Sequence, residues 1–220
     1  MLKSTTVLIA TVLSLTAFAA WVKILKGNVN DSLYIKTGVT VPGVPDITEM
    51  FSFTCPECFY LSTDPRVSHG IKTLSKEGFT YEKYHVSSGP IGGFLSEAWA
   101  VAVIHNIEDK LEKSLFDGVL KTGHITTPED VIAVFNTFGI SEAEFTATLN
   151  LPETRAFLER QSNAINAFNV QSVPAVYIYG KKRIMNNRIK AKSNGVESYR
   201  KKYLLIINSL LHEGEVYSEI

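Results

Sequence analysis

The chain has 220 residues, 45% of them apolar, with 22 lysines and arginines against 22 aspartates and glutamates. A balanced charge gives no electrostatic reason to expect nucleic acid or an anionic membrane as partner, and only two cysteines exclude a disulfide-stapled scaffold. The apolar share, with 12 phenylalanines, suffices for one packed domain or one domain with an insertion.

Met1-Leu2-Lys3 is a basic start, Val7 to Leu15 an apolar run, and Thr16-Ala17-Phe18-Ala19-Ala20 a small-residue ending. That is the pattern of a secretory signal, here residues 1–19, cleaved after Ala19. The run is short for a membrane span. An uncleaved anchor reaching Leu25, flanked by Trp21, Lys23 and Lys26, is the alternative. Leu33 to Pro45, rich in Val, Gly and Pro, predicts an extended lead into a sheet.

Ile47 to Phe53 reads as a buried strand that runs into Cys55-Pro56-Glu57-Cys58, both cysteines of the chain in Cys-x-x-Cys spacing. Pro56 takes the first-turn position of a short helix through Phe59-Tyr60-Leu61. A cysteine at that junction lies beside unpaired backbone N–H groups and the positive end of the helix dipole, which favour thiolate over thiol. Cys55 is therefore assigned as the attacking sulfur and Cys58 as the partner that closes a disulfide onto it. Two other uses compete. A structural disulfide across two residues closes almost no loop and stabilises little. A zinc site needs further ligands, and His69, His85, His105, His124 and His212 are scattered with no pair at ligand spacing. Dithiol/disulfide exchange is the favoured reading, with no metal site.

Pro65 interrupts the first helix, which resumes through Val67, Ile71 and Leu74 and stops at Gly78. Phe79 to Val86 is β-prone, and Ser87 to Gly93 reads as a loop. From Phe94 to Phe168 the pattern is almost entirely helical: Leu95, Ala98, Trp99, Ala102 and Val103 recur at helical spacing, as do Ile107, Leu111, Leu115 and Val119. Thr127-Pro128-Glu129-Asp130 is a helix start, Ser141 to Glu144 has capping-box form, and a last helix runs from about Pro152 to Phe168. Trp99, Phe135, Phe138 and Phe145 are read as core. Ala175 to Tyr179 is a strand, Gly180-Lys181 a turn, and Lys182 to Met185 a return strand. A final amphipathic helix carries Val196, Tyr199, Tyr203, Leu204, Ile207 and Leu211.

Five stretches carry a family likeness: Phe51 to Cys58, Lys83-Tyr84-His85-Val86, Ala98 to Ala102, Leu115 to Val119 with Lys121-Thr122, and Ser172-Val173-Pro174-Ala175. On these the chain resembles the thioredoxin-fold disulfide oxidoreductases of the DsbA type, from about Gly43 to Leu211. The resemblance implies an α/β thioredoxin fold with an inserted all-helical domain. Residues 30–87 and 169–220 would form the thioredoxin-like part and 88–168 the helical insertion. It implies a periplasmic, monomeric enzyme without a cofactor that donates the Cys55–Cys58 disulfide to reduced exported client proteins. A membrane quinone-linked reoxidase of the DsbB type would restore it.

The resemblance also makes Pro174 a cis proline against the disulfide, completing a catalytic set with Cys55 and Cys58, while Val173 presents its backbone to a client strand. Pro56, Glu57, Glu49 and Lys83 would tune the sulfurs, the last two as a buried acid and its lysine. Glu57 departs from the family, whose strongly oxidising members commonly have histidine there. A carboxylate beside the thiolate points to a milder or more specialised oxidant. A reductase or isomerase of the same fold and a peptide-binding chaperone module are the rival functions.

Overall fold

The structure, a computed structural model, describes residues 33–212, so the signal-peptide expectation lies outside the described residues. Five strands form one mixed sheet: β1 (Tyr34–Lys36), β2 (Ile47–Phe51), β3 (Tyr81–His85), β4 (Ala175–Ile178) and β5 (Lys182–Ile184). Their spatial order is β1-β5-β4-β2-β3. β2 is flanked by β3, parallel, and β4, antiparallel, and every one of its residues is buried. Parallel neighbours need a crossover. It is supplied by α1 (Pro56–Thr63) and α2 (Pro65–Lys76), with the break between them at the proline read from the sequence. The extended lead before β2 becomes an edge strand, β1, paired antiparallel with β5.

Between β3 and β4 the chain is helical: α3 (Gly92–Ile104), α4 (Glu108–Phe116), α5 (Pro128–Thr137), α6 (Glu142–Leu149) and α7 (Pro152–Ala167). α3 begins inside the stretch read as loop. A single π turn, Asp117–Lys121, extends α4 and was not foreseen. After β5 comes a short helix, α8 (Asn186–Ala191), also not foreseen, and then α9 (Val196–His212). This is a thioredoxin-like fold with a helical insert.

Two apolar cores share the sheet. One joins Met50, Phe51 and Phe53 to the helical segment through Trp99, Leu115 and Phe116. The other joins Ile47, Val176 and Ile178 to Val67 and Ile71 of α2 and to Tyr203 and Ile207 of α9. Phe53 packs edge-on against Phe116 at 4.9 Å between ring centres, and Phe51 against Trp99 at 4.9 Å. The aromatic block therefore anchors the end of β2, where the cysteines begin.

The expected start at Thr127 forms a complete capping box: the Thr127 hydroxyl accepts from the Asp130 N–H and the Asp130 carboxylate accepts from the Thr127 N–H. At Ser141 the structure shows the serine half, its hydroxyl accepting from the Glu144 N–H at 3.3 Å. Thr127→Ala should therefore lower the unfolding free energy by about 1 kcal/mol while leaving thiol chemistry untouched. Urea unfolding alongside a thiol-exchange assay checks both halves of that expectation.

Candidate active site

Cys55 is the N-cap of α1 and Pro56 its first residue. The cap sulfur accepts the Cys58 N–H at 3.1 Å, in the way a serine or aspartate oxygen would, and also lies 3.5 Å from the Val173 carbonyl oxygen. The two cysteines form a disulfide with their Cα atoms 5.2 Å apart. They differ sharply in access, since Cys55 is half-buried and Cys58 only 1% exposed.

The Val173–Pro174 peptide is cis, as the resemblance implied, and stands across from Cys55. Its loop is held from two sides. Arg183 of β5 donates to the Ser172 hydroxyl at 3.0 Å, and Asn186 at the start of α8 donates to the Pro174 carbonyl at 3.1 Å. A groove of about 370 Å³ runs beside Cys55, with Thr54, Ser87, Ser88, Gln171 and Val173 among its walls. Neither Arg183 nor Asn186 was singled out from sequence.

Glu49 and Lys83 face each other across β2 and β3, register partners with Lys83 Nζ 3.4 Å from Glu49 Oε1. The Tyr81 hydroxyl donates to the other Glu49 oxygen at 2.7 Å. Burial, and then the Glu49 carboxylate, hold that tyrosine well above its ordinary range, so it stays a donor. Lys83 also pairs with Glu112 of α4, a residue sequence reasoning missed. Burial opposes the lysine's charge, but Glu112 and then Glu49 outweigh it and raise its pKa.

Glu57 is two-thirds exposed and lies 3.4 Å from Lys190 of α8. A second cation, Lys121 of the π turn, sits 4.5 Å over the ring of Phe59, the residue after Cys58. Neither lysine was foreseen in a role at the site. Among the described residues no group of three or more His, Cys, Asp and Glu is placed to hold a metal, and no helix is long and apolar enough to cross a membrane.

His85 lies within one of the stretches that carry the family likeness, and the sequence reading assigns it no role. It is fully buried beneath the cysteine loop, with Nε2 accepting the Phe53 N–H at 3.2 Å and Nδ1 2.8 Å from the Ser96 hydroxyl. Because Nε2 accepts, the proton resides on Nδ1, and a second proton would oppose the Phe53 N–H. Burial lowers the His85 pKa to about 3.

Comparison with known proteins agrees with this geometry. A family model described as a DSBA-like thioredoxin domain matches residues 78–193, the stretch holding the helical segment and the Val173–Pro174 loop. The thiol:disulfide interchange protein DsbA of Yersinia pestis is 34% identical over 179 residues, covering 81% of this chain and 86% of the relative. The crystal structure of the disulfide oxidoreductase DsbA from Proteus mirabilis superposes with a TM-score of 0.77 at 30% identity, covering 86% of this chain and 99% of that one. A cysteine-to-serine variant of the Proteus protein with a non-covalently bound peptide is similar with a TM-score of 0.73 at 30% identity, covering 82% and 96% of the two chains.

The His85 shift has a signed consequence. The folded state refuses a proton that the unfolded chain accepts below pH 6.5, so the stability due to the neutral ring is complete above that pH. It is lost as pH falls towards about 3. Urea unfolding of the oxidised protein should therefore weaken between about pH 6 and pH 5 with a slope approaching 1.4 kcal/mol per pH unit. A flat profile there would place the ring in contact with solvent.

Proposed function

The chain belongs to the DsbA family of thioredoxin-fold thiol:disulfide oxidoreductases, and on that footing we propose that it oxidises reduced client proteins in the periplasm through Cys55 and Cys58. The observation that carries this reading is the asymmetry of the pair. Cys55 opens onto a groove beside the cis Val173–Pro174 peptide, whereas Cys58 is sealed behind it.

The exchange follows from that placement. A client thiolate attacks Cys55 Sγ, the Cys55–Cys58 bond breaks, and Cys58 leaves with the electron pair and takes up a proton. A second client thiolate then attacks the client sulfur of the mixed disulfide and expels Cys55 as thiolate. The departing sulfur is received by the Cys58 N–H and the start of α1, the groups that already point at it. Two electrons pass from client to protein. A membrane quinone-linked partner of the DsbB type removes them, and the enzyme works as a monomer.

The groove suits an extended client segment laid against the Val173 backbone, an edge-pairing mode of recognition. That the Proteus relative holds a peptide non-covalently supports the same use here. Pro174 shapes this groove, and Glu49 with Lys83 tunes the sulfurs from beneath. A peptide-binding module without chemistry would have no use for a sulfur placed as helix cap, which favours the enzyme over the chaperone reading.

We take Glu57 as one feature that makes this member a milder oxidant. Its charge opposes the Cys55 thiolate, and Lys190 offsets part of that opposition. Because both groups are largely exposed, solvent screening keeps the effect small. Glu57→His should raise the reduction potential, by the lower part of a range of roughly 10–50 mV. Glutathione equilibria of the two proteins measure this, and an unchanged value would remove Glu57 from the redox balance.

The division of labour between the sulfurs has its own test. Alkylation of the native reduced protein over a pH series should label Cys55 alone, with a midpoint below that of an ordinary thiol at about 8.5. Labelling of Cys58 first would reverse the assignment.

A further inference from the structure

Lys83 is shared by two acids. Its ammonium makes a tight ion pair with Glu112 and a longer contact, 3.4 Å, with Glu49. All three side chains are nearly buried, at 11% exposure for Lys83, 12% for Glu112 and 6% for Glu49. One positive charge cannot neutralise two carboxylates, and the closer acid takes the larger part of it. The stronger pull of Glu112 on the lysine's proton is in keeping with that division.

The cluster lines a cavity of about 140 Å³ whose wall also includes Leu61 and Ser62 of α1. Those residues stand three and four positions after Cys58, on the same helix face. Charge in the cavity is therefore felt one helical turn beneath the buried sulfur. The remaining ionisable groups lining it are Tyr81 of β3, Tyr203 of α9, and an exposed ion pair between Lys72 of α2 and Asp109 of α4; beyond the lining, Glu108 of α4 faces Glu112 and Tyr199 of α9 faces Glu49. The two tyrosines are held neutral by burial first and Glu49 second, and Lys72 and Asp109 answer each other. The unbalanced charge in the cavity is thus the second carboxylate on Lys83.

We propose that Glu112 is a positioning residue for the redox centre. By taking the larger share of Lys83 it leaves Glu49 under-neutralised at the base of the active-site helix, and so limits how strongly the Cys55–Cys58 pair oxidises. The inference rests on the thiol-exchange reading of those cysteines. It gives the helical segment an electrostatic hold on the sulfurs that is relayed through Lys83 and Glu49, because α4 supplies Glu112 while β3 supplies the shared lysine and β2 the competing acid.

Glu112→Gln keeps the shape and removes the charge, so Lys83 turns wholly to Glu49. The glutathione equilibrium should then shift about three- to tenfold towards the dithiol, with the thiolate absorbance of Cys55 appearing at lower pH. Glu112→Asp retains the charge and should behave as the native protein. Asp109→Asn, on the same helix but exposed at the rim, should shift the equilibrium less than about twofold.

Where Glu112→Gln fails to fold, Glu112→Leu, an apolar replacement of similar size, leaves Lys83 to Glu49 alone. It should shift the equilibrium the same way, and an unshifted equilibrium in it overturns the proposal. The proposal is overturned if the Gln variant folds without a shift, if the Asp variant shifts as far as the Gln variant, or if Asp109→Asn has an equal effect. Exchange of the native protein with glutathione in the same series tests the thiol reading separately.

Discussion

The N–H of Cys58 pointing at the sulfur of Cys55 is the interaction on which the rest of the site depends. Helix N-termini leave backbone donors without partners, and an oxygen usually meets them. Here a sulfur does, so the residue that completes the helix is also the one we propose to react. The arrangement demands that β2 end at a fixed point. Its full burial between β3 and β4, and the packing of Phe51 and Phe53 on Trp99 and Phe116, fix that point.

The helical segment is more than a lid over one side of the sheet. Gln161 of α7 accepts the His85 N–H at 2.8 Å, Ser96 of α3 meets the His85 ring, and Trp99 donates to the Lys83 carbonyl at 2.7 Å. Each of these contacts ties the end of β3 to a helix, and β3 in turn lies beside the strand that carries the cysteines. On the opposite flank, Arg183 and Asn186 brace the cis peptide. The Cys55 sulfur thus sits between two independently braced walls, the condition for holding attacking and leaving groups in line in the proposed exchange.

Much of this was legible in the sequence because its signals are local. A strand feeding Cys-Pro-x-Cys, a proline before a β-rich run, and Thr-Pro-Glu-Asp at a helix start each declare themselves within a few residues. What escaped was pairing across distance. Glu112 lies in a run with Asp109, Lys110 and Lys113 that reads as a solvated helix face, and only tertiary packing turns it onto Lys83, 29 residues earlier. Lys190 meets Glu57 across 133 residues, and it does so from α8, a helix too short to show a periodic pattern. The same limit applies to Glu57 itself. Sequence placed a carboxylate beside the thiolate, whereas its exposure and its lysine partner appear only in three dimensions.

The central claim is that the folded protein stabilises the Cys55 thiolate and therefore favours its own reduced form. Thermodynamic linkage converts that into a difference of stability between two states of one protein. Urea unfolding of the oxidised and reduced proteins, compared near neutral pH and at falling pH, measures it directly. The account predicts that reduction raises the unfolding free energy, the reverse of an ordinary structural disulfide, and that the gain fades as the thiolate is protonated. An oxidised form that is the more stable of the two, by a margin independent of pH, would contradict it.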